Sequence, residues 1–450
     1  MKTEVLGGIV TFLTMCYILF VNADIFSALG VSYTAMYICT GISAAIGCLL
    51  MAFLAGMPIA QAPGLGLNAF FVYTCCLGFG FSYANALVFV LFDGIIFILL
   101  TVTGLRRAIF NSVPTAVKNA IGVGIGGFIF FIACQNAGLI VDNPSTLVGL
   151  ASFNFLTGGI TWPAVMPILV TIVTLVIICA LAAKNRPGAV LIGILAGAGL
   201  YYLLGLTIPG FYDGFALGMN FSLGDAFKSF GNETFLAVFR SGFDFSGYIA
   251  AHGSLNLWLM LLTSALAFCL VDMFDTLGTL YSACSEGGLL DEDGNPKNFE
   301  KCMLSDAIGT CCGAVLGTST VTSFVESTSG IAAGAKTGLA SLVTGVLFII
   351  ALVFSPLATL IPGCATAAAL AYVGILMMRS VVNVNWHDVE MALPAFITIF
   401  IMVLSYSISY GIAAGIICYV LIKLFTGKIK EINAGTWIIS ILFVLMFLTH

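Results

Sequence analysis

Charge is what this sequence has least of. Lysine, arginine, aspartate and glutamate make up 8% of its 450 residues, against roughly a quarter in ordinary soluble domains. No hydrophilic stretch is long enough for a separate soluble domain, and the net charge of -5 resides in loops, so nucleic acid is not an expected partner. The 3 histidines, His252, His387 and His450, are too far apart for metal-ligand spacing. The apolar segments contain neither a Ser–His constellation nor a ligand cluster, so an enzyme, a metal site and a cofactor are all unexpected. Cysteine is not scarce, but its 14 copies are scattered through apolar segments and read as small buried hydrophobes. The adjacent pairs Cys75-Cys76 and Cys311-Cys312 are poorly placed to bridge. No small-residue cleavage site follows the opening Met1-Lys-Thr-Glu-Val-Leu, so the first apolar stretch is read as a transmembrane helix, not a removed signal.

What is present is hydrophobic sequence: 60% of residues, with a mean hydropathy of +1.14. Runs of about 17–25 apolar residues, each able to cross a bilayer, are placed at 3–23, 33–54, 60–79, 83–104, 114–135, 163–183, 187–206, 255–283, 301–318, 320–338, 339–358, 364–380, 389–406 and 408–426. With the N-terminus inside, Lys2, Arg106, Arg107, Lys118, Lys184, Arg186, Lys297, Lys301, Lys336, Arg379, Lys423, Lys428 and Lys430 all fall on the cytoplasmic side. Lys228 and Arg240 fall outside, in a long loop that also holds Asp213, Asp225, Glu233 and Asp244. The cytoplasmic turn Asp291-Glu-Asp293-Gly-Asn-Pro resembles part of a calcium loop but lacks the alternating ligands and closing glutamate. It is read as a solvated connector. The apolar tail from Trp437 to Leu448 is short for a span, and either the interface or the bundle suits it.

The loop at 207–254 divides the chain into two sets of seven spans, residues 1–206 and 255–426, followed by a cytoplasmic or interfacial tail at 427–450. An odd number per set inverts the second relative to the first. The third span of each set is interrupted by polar, glycine-rich sequence, and corresponding broken spans in inverted halves point to a transporter's binding site.

Three constellations carry the chemistry. In Gly56-Met-Pro-Ile-Ala-Gln-Ala-Pro-Gly-Leu-Gly-Leu-Asn-Ala-Phe-Phe71, Pro58 and Pro63 disfavour helix before them. Met57 to Ala62 is expected to be extended. Pro63-Gly-Leu-Gly then begins a half-helix whose free N–H groups face a ligand, with Gln61 and Asn68 supplying amides. In Val271-Asp-Met-Phe-Asp-Thr-Leu-Gly-Thr279, Asp272, Asp275 and Thr279 share one helical face. Each aspartate costs about 2.5–3.5 kcal/mol at the bilayer centre and needs a partner, a proton or a wet site. In the run from Gly317 to Gly334, extended chain at Thr318–Val325 leads to Glu326 at the start of a small-residue helix, where backbone donors are again expected. Ser323, Ser327, Thr328 and Ser329 are read as local caps before ligands. Phe70, Phe71, Phe274 and Phe324 lie near these polar groups, where a flat ligand can stack. Asp93 stands alone in the fourth span, and a helix-to-helix hydrogen bond and a functional role are both open.

These motifs, together with Thr11-Phe-Leu-Thr-Met-Cys-Tyr-Ile-Leu-Phe-Val-Asn22 and Glu326-Ser-Thr-Ser-Gly-Ile-Ala-Ala-Gly-Ala-Lys-Thr-Gly338, resemble the guanine/hypoxanthine and adenine permeases, a branch of the xanthine/uracil permease (nucleobase–cation symporter) superfamily. The resemblance implies an all-α polytopic membrane protein with fourteen transmembrane segments in two inverted repeats. It also implies a core domain, a gate domain, and short strands with half-helices in segments 3 and 10. It gives the base-holding carboxylates to Asp272 or Asp275 and to Glu326, and the third-span amide to Asn68. Relatives that carry uracil or xanthine have a glutamate and, four residues on, a histidine in the eighth span. Asp275 and Thr279 hold that spacing here, which removes the histidine from the coupling scheme. The expected function is proton-coupled import of hypoxanthine, guanine or adenine across the inner or plasma membrane by alternating access. Asp272, Asp275 and Glu326 are the candidates for carrying the proton, and a homodimer is among the assemblies allowed. The competing reading of the same architecture is a carrier of anions or other small solutes, which should favour basic side chains at the two helix starts. A channel would lack saturation and counterflow.

Overall fold

The computed structural model describes residues 1–104, 112–212, 222–292 and 295–449. Arg106, Arg107, Asp213, Asp293 and His450 lie outside the described residues.

The apolar runs fold as helices in the expected order. The first segment is α1 (Lys2–Met15) and α2 (Ile18–Ser27), interrupted at Cys16-Tyr17, and the second is α3 (Tyr33–Leu50). The third is broken: strand β1 (Gln61–Pro63) leads into α4 (Leu65–Ala69), which continues as a wider helix to Gly78. Next come α5 (Tyr83–Thr103), α6 (Thr115–Asn136), a hairpin of β2 (Ile140–Asn143) and β3 (Leu147–Leu150), α7 (Trp162–Ala183) and α8 (Ala189–Gly205). The second set opens with α9 (Ser254–Gly287) and α10 (Phe299–Leu316). Its third member is again strand then helix, β4 (Val321–Ser323) and α11 (Ser327–Ala332). It closes with α12 (Gly338–Ala351), α13 (Gly363–Met377), α14 (Val389–Leu404) and α15 (Ile408–Phe425).

Among the described residues, 9 helical stretches are long and apolar enough to cross a membrane, and Leu65–Gly78, Ala189–Gly205 and Val389–Leu404 are shorter apolar helices. With α10 and the β4–α11 unit they make the fourteen segments of an inverted-repeat membrane protein. The segments sort into two bodies. α1 to α5 pack with α9 to α12 as a core, and α6 to α8 pack with α13 to α15 as a gate. α9 has 34 residues, roughly 50 Å at about 1.5 Å per residue, and so overshoots a hydrocarbon layer of about 30 Å. Its last turns frame a cavity mouth. The apolar tail forms α16 (Ala434–Thr449), which packs on α15 and α9. It buries Phe443 and Met446, with Phe447 5.4 Å from Tyr410 ring to ring.

The two broken segments meet at the centre. β1 and β4 pair antiparallel, Gln61 opposite Ser323, Ala62 opposite Thr322 and Pro63 opposite Val321. Backbone freed from helix must find partners in hydrocarbon, and here it does. Ser341 donates to the carbonyls of Met57 (2.7 Å) and Ile59 (3.0 Å). Phe324 N–H donates to Ala60 O, Ala60 N–H to Ser327 Oγ, and Gly64 N–H to Thr320 O. Two local expectations need correction. Pro63 ends the strand and is not in the helix's first turn, because a residue without N–H suits the ladder's edge. The extended part of segment 10 contracts to Val321–Ser323, since only these residues find a facing strand.

Candidate functional site

A cavity of about 1730 Å³ begins where the broken segments meet and opens at one end of the molecule. Its inner wall holds Tyr17, the start of α4 at Gly64 to Gly66, Phe274, Asp275 and Thr279 of α9, and Phe324 and Glu326 beside β4. Its mouth holds Lys118, Glu286, Lys301 and Arg379. The gate contributes α6 through Ile121, Gly122 and Ile125, and α13 through Val373, Leu376 and Met377. The cavity therefore runs between core and gate.

Asp275 and Glu326 are the carboxylates of the inner wall. Both are half-buried, and they feel one another electrostatically across the space. Asp275 Oδ2 lies 3.8 Å from where a side chain at Gly64 would begin, so the aspartate faces the start of α4. The Tyr17 hydroxyl donates to Glu326 Oε1 at 2.6 Å. Tyr17 stands at the short interruption between α1 and α2 and lines the cavity. Phe274 and Phe324 supply flat apolar surface beside these acceptors. The wall thus combines hydrogen-bond acceptors of negative charge with aromatic faces. That suits a planar, neutral ring with edge N–H donors and disfavours an anion.

Other residues expected at the ligand lie off the cavity wall. Gln61 is buried behind β1, donating to Asp306 Oδ1 at 3.2 Å and accepting from Ser305 Oγ at 3.1 Å. Asn68 is buried in α4 and accepts from the Ser319 hydroxyl. Phe70 is buried against Phe268, ring centroids 4.6 Å apart, and Phe71 packs on Phe26 at 5.1 Å. Asp272 is buried as well, within electrostatic reach of Asp93 of α5. Three residues along a helix are about 60° apart in projection, enough to leave Asp275 on the cavity wall and Asp272 off it. The backbone donors expected at the start of α11 are already used: Ser327, Thr328 and Ser329 donate to the carbonyls of Phe324, Val325 and Glu326. Segment 10 therefore offers its carboxylate to the cavity, not its amides.

Two residues escaped the sequence reading. Tyr17 lay inside a recognised motif but carried no charge to mark it. Asp306 of α10 is fully buried, and its two oxygens accept from Gln61 and from Thr276 (2.9 Å), which also bonds Thr322 at 2.7 Å. It ties α9, α10 and both strands together. An aspartate inside an apolar span was signal enough to find it.

Comparison with known proteins places the chain in a family. Residues 2–414 match the xanthine/uracil permease profile, described as Permease family. The chain belongs to that family. A Methanocaldococcus jannaschii protein named only as a permease is 42% identical over 447 residues, covering 99% of this chain and 95% of the relative. The guanine/hypoxanthine permease PbuG of Bacillus subtilis is 37% identical over 457 residues, covering 99% and 96%. The adenine permease AdeP of Escherichia coli is 35% identical over 444 residues, covering 99% and 92%. Among solved structures, the transmembrane domain of the cyanobacterial bicarbonate transporter BicA superposes with a TM-score of 0.61 at 16% identity, covering 92% of this chain and 97% of that one. That likeness concerns the fold. This permease places carboxylates at the meeting point of its broken helices, and its basic residues stand at the cavity mouth.

Proposed function

We propose that the chain is a proton-coupled importer of purine nucleobases, taking hypoxanthine, guanine or adenine. The observation that carries this reading is the pair of half-buried carboxylates, Asp275 and Glu326, facing each other beside Phe274 and Phe324. A purine stacks between such rings and donates its edge N–H groups to the two carboxylates. Thr279 adds a hydroxyl on the same wall, and Tyr17 fixes the Glu326 carboxylate. Gln61, Asn68 and Phe70 act from behind, holding strand and helix in place for the wall. The proton belongs to the set Asp272, Asp275 and Glu326. The relatives support the substrate class, since named members carry adenine and guanine/hypoxanthine.

The cycle moves the core past the gate. Residues 1–206 and 255–426 form the inverted repeats, with the N-terminus cytoplasmic in the inner or plasma membrane and 207–254 as an external loop. Each protomer carries a complete cavity, so a homodimer would work as two parallel carriers. Uptake of labelled hypoxanthine, guanine and adenine into vesicles under an inward proton gradient tests the proposal. Saturable uptake of at least one, with counterflow, is expected. No uptake of any of the three by folded protein would overturn it, and uptake of bicarbonate instead would favour the anion carrier.

A further inference from the structure

The apolar tail lies beyond the fourteen segments of the two repeats, yet it is built like one of them. α16 has 16 residues, as many as α14, or about 24 Å of helix. No charged residue occurs between Ala434 and Leu448, while Lys428, Lys430 and Glu431 stand just before them. The two ends of α16 meet opposite ends of the gate. At the first, the Thr436 hydroxyl donates to Ser112 O at 2.5 Å. Ser112 shortly precedes Thr115, Lys118 and Asn119, which line the cavity at its mouth. The link from α15 is fastened at that same end: Lys423 pairs with Glu390 at 2.7 Å and Glu431 at 2.6 Å, and Lys428 pairs with Glu390 at 2.6 Å. At the second, Phe447 lies 5.4 Å from the ring of Tyr410, in the first turn of α15. Tyr410 also lies 5.6 Å from Phe79 of the core. α16 therefore runs antiparallel to α15 along most of its length.

Both sides of α16 suit an apolar medium. Thr436, Ile439, Ser440, Phe443 and Met446 are buried, and their spacing of three and four puts them on one side of the helix. α16 packs on α15 of the gate and on α9 of the core, so it covers the seam between the two bodies. Ile438, Ile441, Leu445 and Leu448 are exposed on the opposite side. A helix lying in the membrane interface presents a charged or polar face to water. One that is apolar all round belongs within protein or lipid, and the exposed stripe of α16 fits lipid.

We propose that α16 is a fifteenth membrane crossing, a strap fastened to the gate at both ends and laid across its seam with the core. The inference rests on the movement of core past gate proposed above. α9 carries Asp275 and Thr279 on the cavity wall, so the helix that holds the base slides along α16 as the core moves. Among the described residues of α16, none lines the cavity. The strap therefore acts on turnover and leaves affinity for the base alone.

Epitope tags fused ahead of Met1 and after His450 of the full chain test the crossing in sealed vesicles. An odd number of spans puts the two tags on opposite faces, whichever way the N-terminus points; both tags on one face would overturn the proposal. Phe447→Ala tests the fastening with whichever purine the wild type carries. Maximal uptake by folded protein should fall about threefold to tenfold, while the purine Kd stays within about twofold. Phe447→Tyr, which keeps the ring, should retain uptake. Unchanged maximal uptake in Phe447→Ala would overturn the strap, as would a loss carried by Kd alone. If the wild type carries no purine, the functional reading fails in the uptake arm while the tags still decide the crossing.

Discussion

The Tyr17 hydroxyl holds one oxygen of Glu326 at 2.6 Å. Tyr17→Phe keeps the ring and removes the donor. A hydrogen bond to a charged group is worth about 1.5–3 kcal/mol, so purine affinity should drop roughly tenfold to a hundredfold. Equilibrium binding to purified protein measures this, and an unchanged Kd with an unchanged melting temperature would show that the bond does not prepare Glu326. Asn68→Ala leads to a different expectation. Asn68 is buried and accepts from Ser319, and an orphaned buried hydroxyl costs about 1–3 kcal/mol. Thermal stability and uptake should therefore fall together; a full loss of uptake at wild-type stability would return Asn68 to direct contact with the base. At this scale the sequence marked Asp275 and Glu326 well, because ionisable groups within a bilayer are costly and rare. It could not separate Phe274 from Phe70. Both are apolar, both lie beside the polar motifs, and neighbours distant in sequence put one on the cavity and the other against Phe268.

The crossing of β1 and β4 depends on how closely the chains approach. A Cβ on Gly64 would lie 2.6 Å from the Thr322 Cγ2 methyl, with nothing else nearer than 3.6 Å. Gly64→Ala should therefore spread the strands and lower uptake by about tenfold. Adding Thr322→Ser removes the offending methyl and keeps the hydroxyl that bonds Thr276, so it should restore most of the loss. A double variant no better than Gly64→Ala would show that the clash is not the cause. A harsher case is Gly330, where a Cβ would meet Thr11 Oγ1 at 2.1 Å and Gly7 O at 2.5 Å. Gly330→Val should abolish folded protein on size-exclusion chromatography. Thr11→Ala should not rescue it, because the Gly7 backbone remains in the way. Both breaks were legible from prolines, glycines and β-branched runs. Their mutual pairing was not, since residues about 260 apart in sequence leave no local trace of register.

Across the whole molecule, the end opposite the cavity mouth is closed by contacts between core and gate. The Thr366 hydroxyl of α13 donates to Asp24 Oδ2 at 3.0 Å, and the Thr74 hydroxyl donates to Tyr406 O at 3.2 Å. The Tyr406 ring is wedged between Tyr73 of the core, at 5.6 Å, and Phe128 of the gate, at 5.2 Å. A cysteine at Ser380, on the cavity lining, should react with an impermeant thiol reagent from the cytoplasmic face and be protected by purine. Thr366→Val removes one closing bond, worth about 0.5–1.5 kcal/mol. It should raise external labelling of a cysteine placed at Thr279 by a few-fold. No change in that labelling would show that this bond does not hold the outer end shut.

Composition, hydrophobic length, proline breaks and intramembrane acids are local properties, set by the cost of charge and open backbone in hydrocarbon. They were enough to count the segments, find the two interruptions and mark the carboxylates. Which side of α9 each aspartate takes, which phenylalanine lines the cavity, and how Asp306 joins α9, α10 and both strands depend on helices brought together from distant parts of the chain. About 60° of rotation on one helix separates the aspartate that lines the cavity from the one buried behind it, and the packing of α9 against its neighbours sets which is which.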